Sequence, residues 1–243
     1  MASRQSKFPG FPAEGIAFLR SLKKNNDREW FTPRKATFEE KVKTPMIELV
    51  SAIHGEMRRF APDYVGEPAK CVYRIYRDTR FSKDKTPYKT YASALMLRRN
   101  FDKYAGSAAI YFAVSPEEVE VAGGVYTPDR EVLLAVRQHI AEHHKEFRAT
   151  FDTPKIRKLF GELWGESVSR VPKGFDAEHP AADLIRRKQY LLDGKVDPKL
   201  AVTPKLFGEI VTRIEAMMPF VEFLNQPLVK RAAKRKREEK FLR

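Results

Sequence analysis

The chain has 243 residues, a formal net charge of +14, and 42% hydrophobic and 12% aromatic residues, which is the composition of a folded protein with a core. It contains no apolar run of the roughly 18 residues that a membrane span needs, and its first ten residues lack the apolar segment of a secretory signal. With Cys71 as the only cysteine, we expect a cytoplasmic protein that has no disulfide, no cysteine-based zinc site and no membrane partner.

The first quarter of the chain predicts helices. Apolar residues recur at helical spacing from Pro12 to Lys24, and Asn26 is the expected N-cap of a second helix. Glu29 then occupies the capping-box position three residues later. Thr44, followed by proline, predicts the start of a third helix.

The middle of the chain predicts β-strands, because β-branched and aromatic residues cluster in short segments. These segments are residues 71–76, 91–97, 108–114 and 119–125. The last three are closely spaced, which is typical of antiparallel neighbours. Gly123 and Gly124 indicate a turn or bulge at the end of a strand, with a close backbone approach to a ligand as the alternative.

The last part returns to helical patterns, over residues 128–144 and 151–163, with a short helix running into a strand over residues 184–192. Thr203 and Pro204 open a final long helix. The order of helices, sheet and helices predicts an α+β fold, in which a central antiparallel sheet carries a helical N-terminal third and packed C-terminal helices. We predict one domain over residues 1–226.

A basic tail over residues 227–243 follows the predicted domain. Eight lysines and arginines and two glutamates come after Val229, so +6 of the net charge of +14 lies there. We expect a solvated or weakly helical extension. The alternative is loose binding of nucleic acid through phosphate charge, without sequence preference.

A second cationic segment lies inside the predicted domain and is the strongest indication of function. The candidate anion-binding or ligand-binding residues are Arg74, Arg77, Asp78, Arg80, Ser82, Lys83, Asp84, Lys85, Tyr88 and Lys89. Six of them are cations and two are anions, so four positive charges cannot be neutralised within the segment. If the chain is extended here, Arg74, Tyr76, Asp78 and Arg80 share one face. Phe81 and Tyr88 could pack against the loop or stack on a base.

This segment supports three hypotheses. Forked guanidinium groups suit phosphate or carboxylate oxygens, which favours the binding of a phosphorylated ligand or a nucleic acid. Alternatively, the arginines form structural ion pairs with distant carboxylates, for which Glu29, Glu39 and Glu48 are candidates. The third hypothesis is an enzyme that acts on a phosphorylated substrate with Asp78 or Asp84 as base, although the sequence identifies no catalytic residue and no cofactor.

The same segments resemble a family of uncharacterised bacterial and fungal proteins, DUF2461. The similarity begins with the Asn-Asn-x-Arg-Glu-Trp-Phe pattern at residues 25–31. It is most specific in the Arg-Ile-x-Arg-Asp-x-Arg-Phe-Ser-x-Asp-Lys-x-Pro-Tyr-Lys pattern at residues 74–89, and it extends through residues 123–128, 172–175 and 188–190. The resemblance covers about residues 8–224 and implies no activity and no catalytic residue.

One further pattern suggests a metal. His139, Glu142 and His143 match the H-x-x-E-H spacing of inverted zinc proteases, in which the two histidines lie one helical turn apart. Because this stretch is highly charged and no further ligand is evident, we predict a solvated helix end and no metal site.

Overall fold

The computed structural model describes residues 8–99, 101 and 106–241, with side chains as far as Lys230. Its helices and antiparallel sheet confirm the predicted α+β class. The chain forms two compact units. The first comprises Met1–Arg99, Tyr111–Val121 and Lys195–Glu215, and the second comprises Asn100–Ile110, Ala122–Gly194 and Ala216–Arg243. Among the described residues, no helix combines the length and hydropathy that a membrane crossing requires.

The N-terminal part of the first unit contains two long helices and three short ones. They are α1 (Ala13–Lys24), α2 (Arg28–Phe31), α3 (Lys35–Phe38), α4 (Thr44–Met57) and α5 (Pro68–Cys71). The predicted cap Asn26 is wrong, since Asp27 caps α2 by accepting a hydrogen bond from the Trp30 amide. The chain between α3 and α4 stays helical as a wider turn, Glu39–Lys43, so Thr44 does not restart a helix after a break.

The sheet contains β1 (Ala92–Leu97), β2 (Ala109–Val114), β3 (Val119–Val125) and β4 (Tyr190–Val196), in the order β1-β2-β3-β4. The strand predicted at residues 71–76 does not form. Cys71 ends α5, Val72 forms an isolated antiparallel bridge with Ala94, and the Tyr73 amide donates a hydrogen bond to the Ser93 carbonyl, both partners lying in β1. The chain then leaves the sheet edge and pairs with its own continuation, through an antiparallel bridge between Tyr76 and Tyr88.

The remaining helices are α6 (Arg130–Glu142), α7 (His144–Phe151), α8 (Pro154–Phe160), α9 (Ala182–Ile185) and α10 (Lys205–Phe241). Asp129 caps α6 through the Val132 amide, and Thr153 caps α8 through the Ile156 amide. Helix α10 continues without a break through Gln226, where the predicted domain ends and the predicted basic tail begins. The tail side chains beyond Lys230 lie outside the described residues.

Gly123 and Gly124 lie inside β3, so the predicted turn is wrong. A Cβ atom on Gly123 would overlap the sulfur of Met217 in α10. On Gly124, whose φ is +132°, it would overlap the carbonyl oxygen of Tyr190. Because protein atoms fill the space beside both glycines, these residues serve close packing within the second unit and form no ligand cradle.

Candidate functional site: a basic hairpin

Residues 74–89 fold back on themselves, and we call them the basic hairpin. Its two arms are joined by hydrogen bonds from the Arg77 amide to the Pro87 carbonyl (2.9 Å) and from the Lys89 amide to the Ile75 carbonyl (2.8 Å). Along the first arm, Arg74 is exposed and Ile75 is buried, and exposed positions continue to alternate with less exposed ones as far as Arg80. The hairpin thus presents one charged face to solvent.

Arg77 is the internal brace of the hairpin. Its guanidinium group donates hydrogen bonds to Asp84 Oδ2 (2.5 Å), to the Thr86 carbonyl (3.2 Å) and to the Thr86 hydroxyl. Asp84 in turn accepts a hydrogen bond from the Thr86 amide at 2.9 Å. Arg77 therefore holds the second arm to the first, and its charge is already matched by a carboxylate.

Arg80 and Asp78 form a second, more exposed ion pair. The guanidinium donates from Nε to Asp78 Oδ1 (3.0 Å) and from Nη2 to Oδ2 (2.7 Å), which is a bidentate arrangement. The arginine partners therefore lie within the hairpin. The alternative that Glu29, Glu39 or Glu48 pairs with the arginines does not hold for Arg77 and Arg80, which pair with Asp84 and Asp78 instead.

These bonds also determine the acidity of the two aspartates. The Arg80 side chain lowers the pKa of Asp78 from its ordinary value to about 2. The Thr86 amide, followed by the Arg77 side chain, lowers the pKa of Asp84 to about 2. A carboxylate with so low a pKa is a weak proton acceptor near neutral pH, which argues against the hypothesis that either aspartate is a catalytic base.

Three of the other cations, Arg74, Lys83 and Lys85, make no ion pair with a carboxylate in the described part of the chain. Arg74 and Lys83 are exposed and make no hydrogen bond or ion pair there, and Lys85 donates only to the carbonyl of Thr79 (2.9 Å). The ammonium group of Lys89 lies 4.5 Å from the centre of the Tyr73 ring, a cation–π contact. The hairpin therefore carries exposed positive charge that its own aspartates do not neutralise.

Two of the three aromatic residues of the hairpin have opposite environments. Phe81 is 95% exposed and follows Arg80 at the turn, where the half-buried Ser82 donates its amide to the Thr79 carbonyl. Tyr88 is only 4% exposed and stacks on Phe31 with ring centres 4.1 Å apart. Phe81 is thus free to contact a ligand, whereas Tyr88 anchors the hairpin.

Asn26 contributes to the site, although the sequence did not indicate this role. Its side-chain amide donates to the Tyr88 carbonyl (2.9 Å) and its oxygen accepts from the Tyr88 amide (3.0 Å), in the way that a neighbouring strand would. Together with the contact of Phe31 on Tyr88, this connects residues 25–31 to the basic hairpin. The only signal in the sequence was that both segments carry the family resemblance.

Replacing Asn26 with alanine is expected to destabilise the first unit by about 1–3 kcal/mol, because two backbone groups lose their partners. Urea unfolding measures this loss, and faster hydrogen exchange at the Tyr88 amide localises it. Asn25→Ala is the matched control, since the Asn25 side chain donates only to the Ser21 carbonyl at an exposed helix end. Equal losses in the two variants would contradict the anchoring role of Asn26.

A cavity of about 440 Å³ in the second unit offers a contrast to the basic hairpin. Its lining includes Arg148, Arg157 and Arg187 together with three acidic residues. Arg148 bonds to Asp183 (2.7 Å), and Arg157 bonds to Asp152. Because the charges that line this cavity balance, it is a poorer site for an anion than the hairpin.

The described residues thus define an α+β protein whose most distinctive surface feature is a braced, cationic hairpin with an exposed aromatic side chain. The family model of the conserved hypothetical proteins DUF2461 matches residues 14–223. The chain therefore belongs to this family, as the resemblance in residues 25–31 and 74–89 predicted. A comparison with curated proteins finds no match.

Proposed function

We propose that this protein binds nucleic acid through the phosphate groups, using the exposed face of the basic hairpin. The observation that carries the proposal is a set of cations, Arg74, Lys83 and Lys85, that form no ion pair with any carboxylate among the described residues, on a hairpin braced by Arg77. Phosphate contacts by such side chains bring affinity without sequence preference.

The exposed ring of Phe81 favours a nucleic acid over a small phosphorylated molecule. An aromatic side chain next to cations is the combination with which proteins stack unpaired bases while holding the backbone. Arg74, Phe81, Lys83 and Lys85 are all exposed, so a long ligand can reach the proposed contact surface from solvent. Single strands are therefore the preferred ligand of the proposal.

The proposal is tested by fluorescence anisotropy with short labelled single- and double-stranded oligonucleotides over a series of salt concentrations. The whole chain is compared with a chain that ends at Lys230, which keeps the buried Leu228 and removes most of the basic tail. The shortened chain is expected to bind single strands, with a slope of log affinity against log salt of about −2 to −3.5 if three to five phosphates are contacted. If the shortened chain binds no oligonucleotide, the tail is the only polyanion contact and the proposal is wrong.

A further inference from the structure

A cluster of three metal-ligand side chains lies at the C-terminal end of α6, in the second unit. His139, Glu142 and His143 each offer a ligand atom, and these atoms all lie within 4.8 Å of one another. His139 and Glu142 lie one turn apart on α6, and His143 is the residue that caps the end of this helix. The predicted solvated helix end is wrong for His139, which is only 8% exposed.

The separation of these atoms is close to what a metal requires. Ligands at about 2.0–2.1 Å from a tetrahedral zinc ion lie about 3.4 Å from one another. Ligand atoms that lie within 4.8 Å of one another therefore need to move closer together by little more than 1 Å. Glu142 and His143 are exposed and can supply that movement by rotating their side chains, while the buried His139 stays in place.

His139 is held in one orientation. Its ring packs 4.5 Å from the ring of Phe223, and its Nε2 lies 3.0 Å from Gln226 Oε1. An amide oxygen only accepts hydrogen bonds, so this contact places the ring proton on Nε2 and leaves the lone pair on Nδ1. Histidines that bind metals characteristically donate the N–H of their other ring nitrogen to such an acceptor, which fixes the orientation of the ring.

His143 lies between two carboxylates, at distances longer than a hydrogen bond. Its Nε2 lies 3.9 Å from Glu142 Oε2, and its Nδ1 lies 3.9 Å from Glu146 Oε2. One nitrogen thus faces the cluster, while the other faces a carboxylate that can accept its proton. The two glutamates also supply negative charge for a cation.

One nearby charge opposes a cation at this cluster. Lys230 interacts electrostatically with His139, so its positive charge repels an incoming metal ion.

We propose that His139, Glu142 and His143 form a binding site for a divalent transition metal, with Zn²⁺ as the ion that best suits two imidazoles and one carboxylate. Gln226 orients His139, and Glu146 orients His143. Three protein ligands leave the fourth position to water, which is the coordination of zinc sites that carry out chemistry or take a further ligand. The site is independent of the basic hairpin.

The test is a titration of the whole chain with Zn²⁺ in competition with a chromophoric chelator. One ion per chain is expected. Glu142→Gln and His143→Gln are both changes of exposed side chains that leave the fold intact, and each is expected to weaken binding by more than the roughly tenfold typical of losing an outer-shell partner. His139→Gln is expected to do the same, although its burial makes it the less decisive variant.

Two further variants make the result specific. His144→Gln is the matched control, because His144 follows His143 directly and its ring contacts that of His179 outside the cluster. It is expected to bind Zn²⁺ as the unchanged chain does.

Lys230→Gln is expected to bind Zn²⁺ more tightly, because a repelling charge is removed. No stoichiometric binding, or equal affinity in His143→Gln and the unchanged chain, would overturn the proposal.

Discussion

Replacing Arg74, Lys83 and Lys85 together with glutamine is expected to weaken single-strand binding roughly a hundredfold at about 0.1 M salt. Each cation that releases a counterion from a single strand contributes about 0.7 to the slope of log affinity against log salt, so three contribute about 2. The variant should therefore also show a flatter salt dependence. Anisotropy titrations over the salt series measure both quantities in one experiment.

The control for this variant removes the same charge elsewhere in the first unit. Arg20, Lys24 and Lys35 are exposed and have no hydrogen-bond or ion-pair partner among the described residues, so their triple replacement with glutamine leaves the fold unchanged. It is expected to change affinity only slightly, because long-range attraction between exposed charges is screened. Equal weakening in the two triple variants would show that net charge, and not the hairpin, accounts for binding.

This choice of variants depends on the structure. An Arg77→Ala, Arg80→Ala pair removes the brace between the arms as well as charge, because Arg77 bonds to both Asp84 and Thr86. A loss of binding in that pair would not separate a ligand contact from a misfolded hairpin. Arg74 and Lys83 make no hydrogen bond among the described residues, and Lys85 makes one, to the Thr79 carbonyl. Their replacement therefore removes charge while the Arg77 brace stays in place.

Replacing Gly124 with alanine is expected to destabilise the second unit by about 3–5 kcal/mol. The φ of +132° is costly for a residue with a Cβ, and the added methyl group overlaps the carbonyl oxygen of Tyr190. Neither backbone strand can move without disturbing the ladder between them. Equilibrium urea unfolding measures the loss, and hydrogen exchange in β3 and β4 shows whether it is local to these strands.

Gly174→Ala separates the two causes of that loss. Gly174 also has a positive φ, +98°, but a Cβ there meets no atom within 4 Å. Its replacement is expected to cost only the backbone strain, about 1–2 kcal/mol. If both alanine variants lost the same stability, the overlap with Tyr190 would not be the reason that position 124 is glycine.

The sequence predicted the elements whose signals are local. Helix α1 and strands β1, β2 and β3 were each predicted to within a few residues, because apolar periodicity and β-branched composition act over neighbouring positions. The strand prediction for residues 71–76 was wrong because it, too, relied on local composition alone. The composition of this segment favours a strand, but in the fold the segment forms only isolated bridges, from Val72 to Ala94 in β1 and from Tyr76 to Tyr88 in the hairpin.

The candidate site likewise has features that the sequence predicts and features that only the structure shows. The surplus of positive charge over residues 74–89 is a property of the sequence alone, since two aspartates cannot neutralise six cations. Which cations remain unpaired was not predictable, because ion pairing depends on distances through space. Only the folded hairpin shows that Arg77 and Arg80 are paired with Asp84 and Asp78, whereas Arg74 and Lys83 face solvent alone among the described residues.

By itself, then, the sequence determined the α+β class, the family and the charge of the hairpin, all of which depend on local composition and pattern. The tertiary structure alone decided that Tyr88 is buried, that Asn26 supports it from 62 residues away, and that His139 lies near Gln226. Contacts between such distant positions arise from packing and loop closure. No local pattern records them, because the residues become neighbours only after the chain has folded.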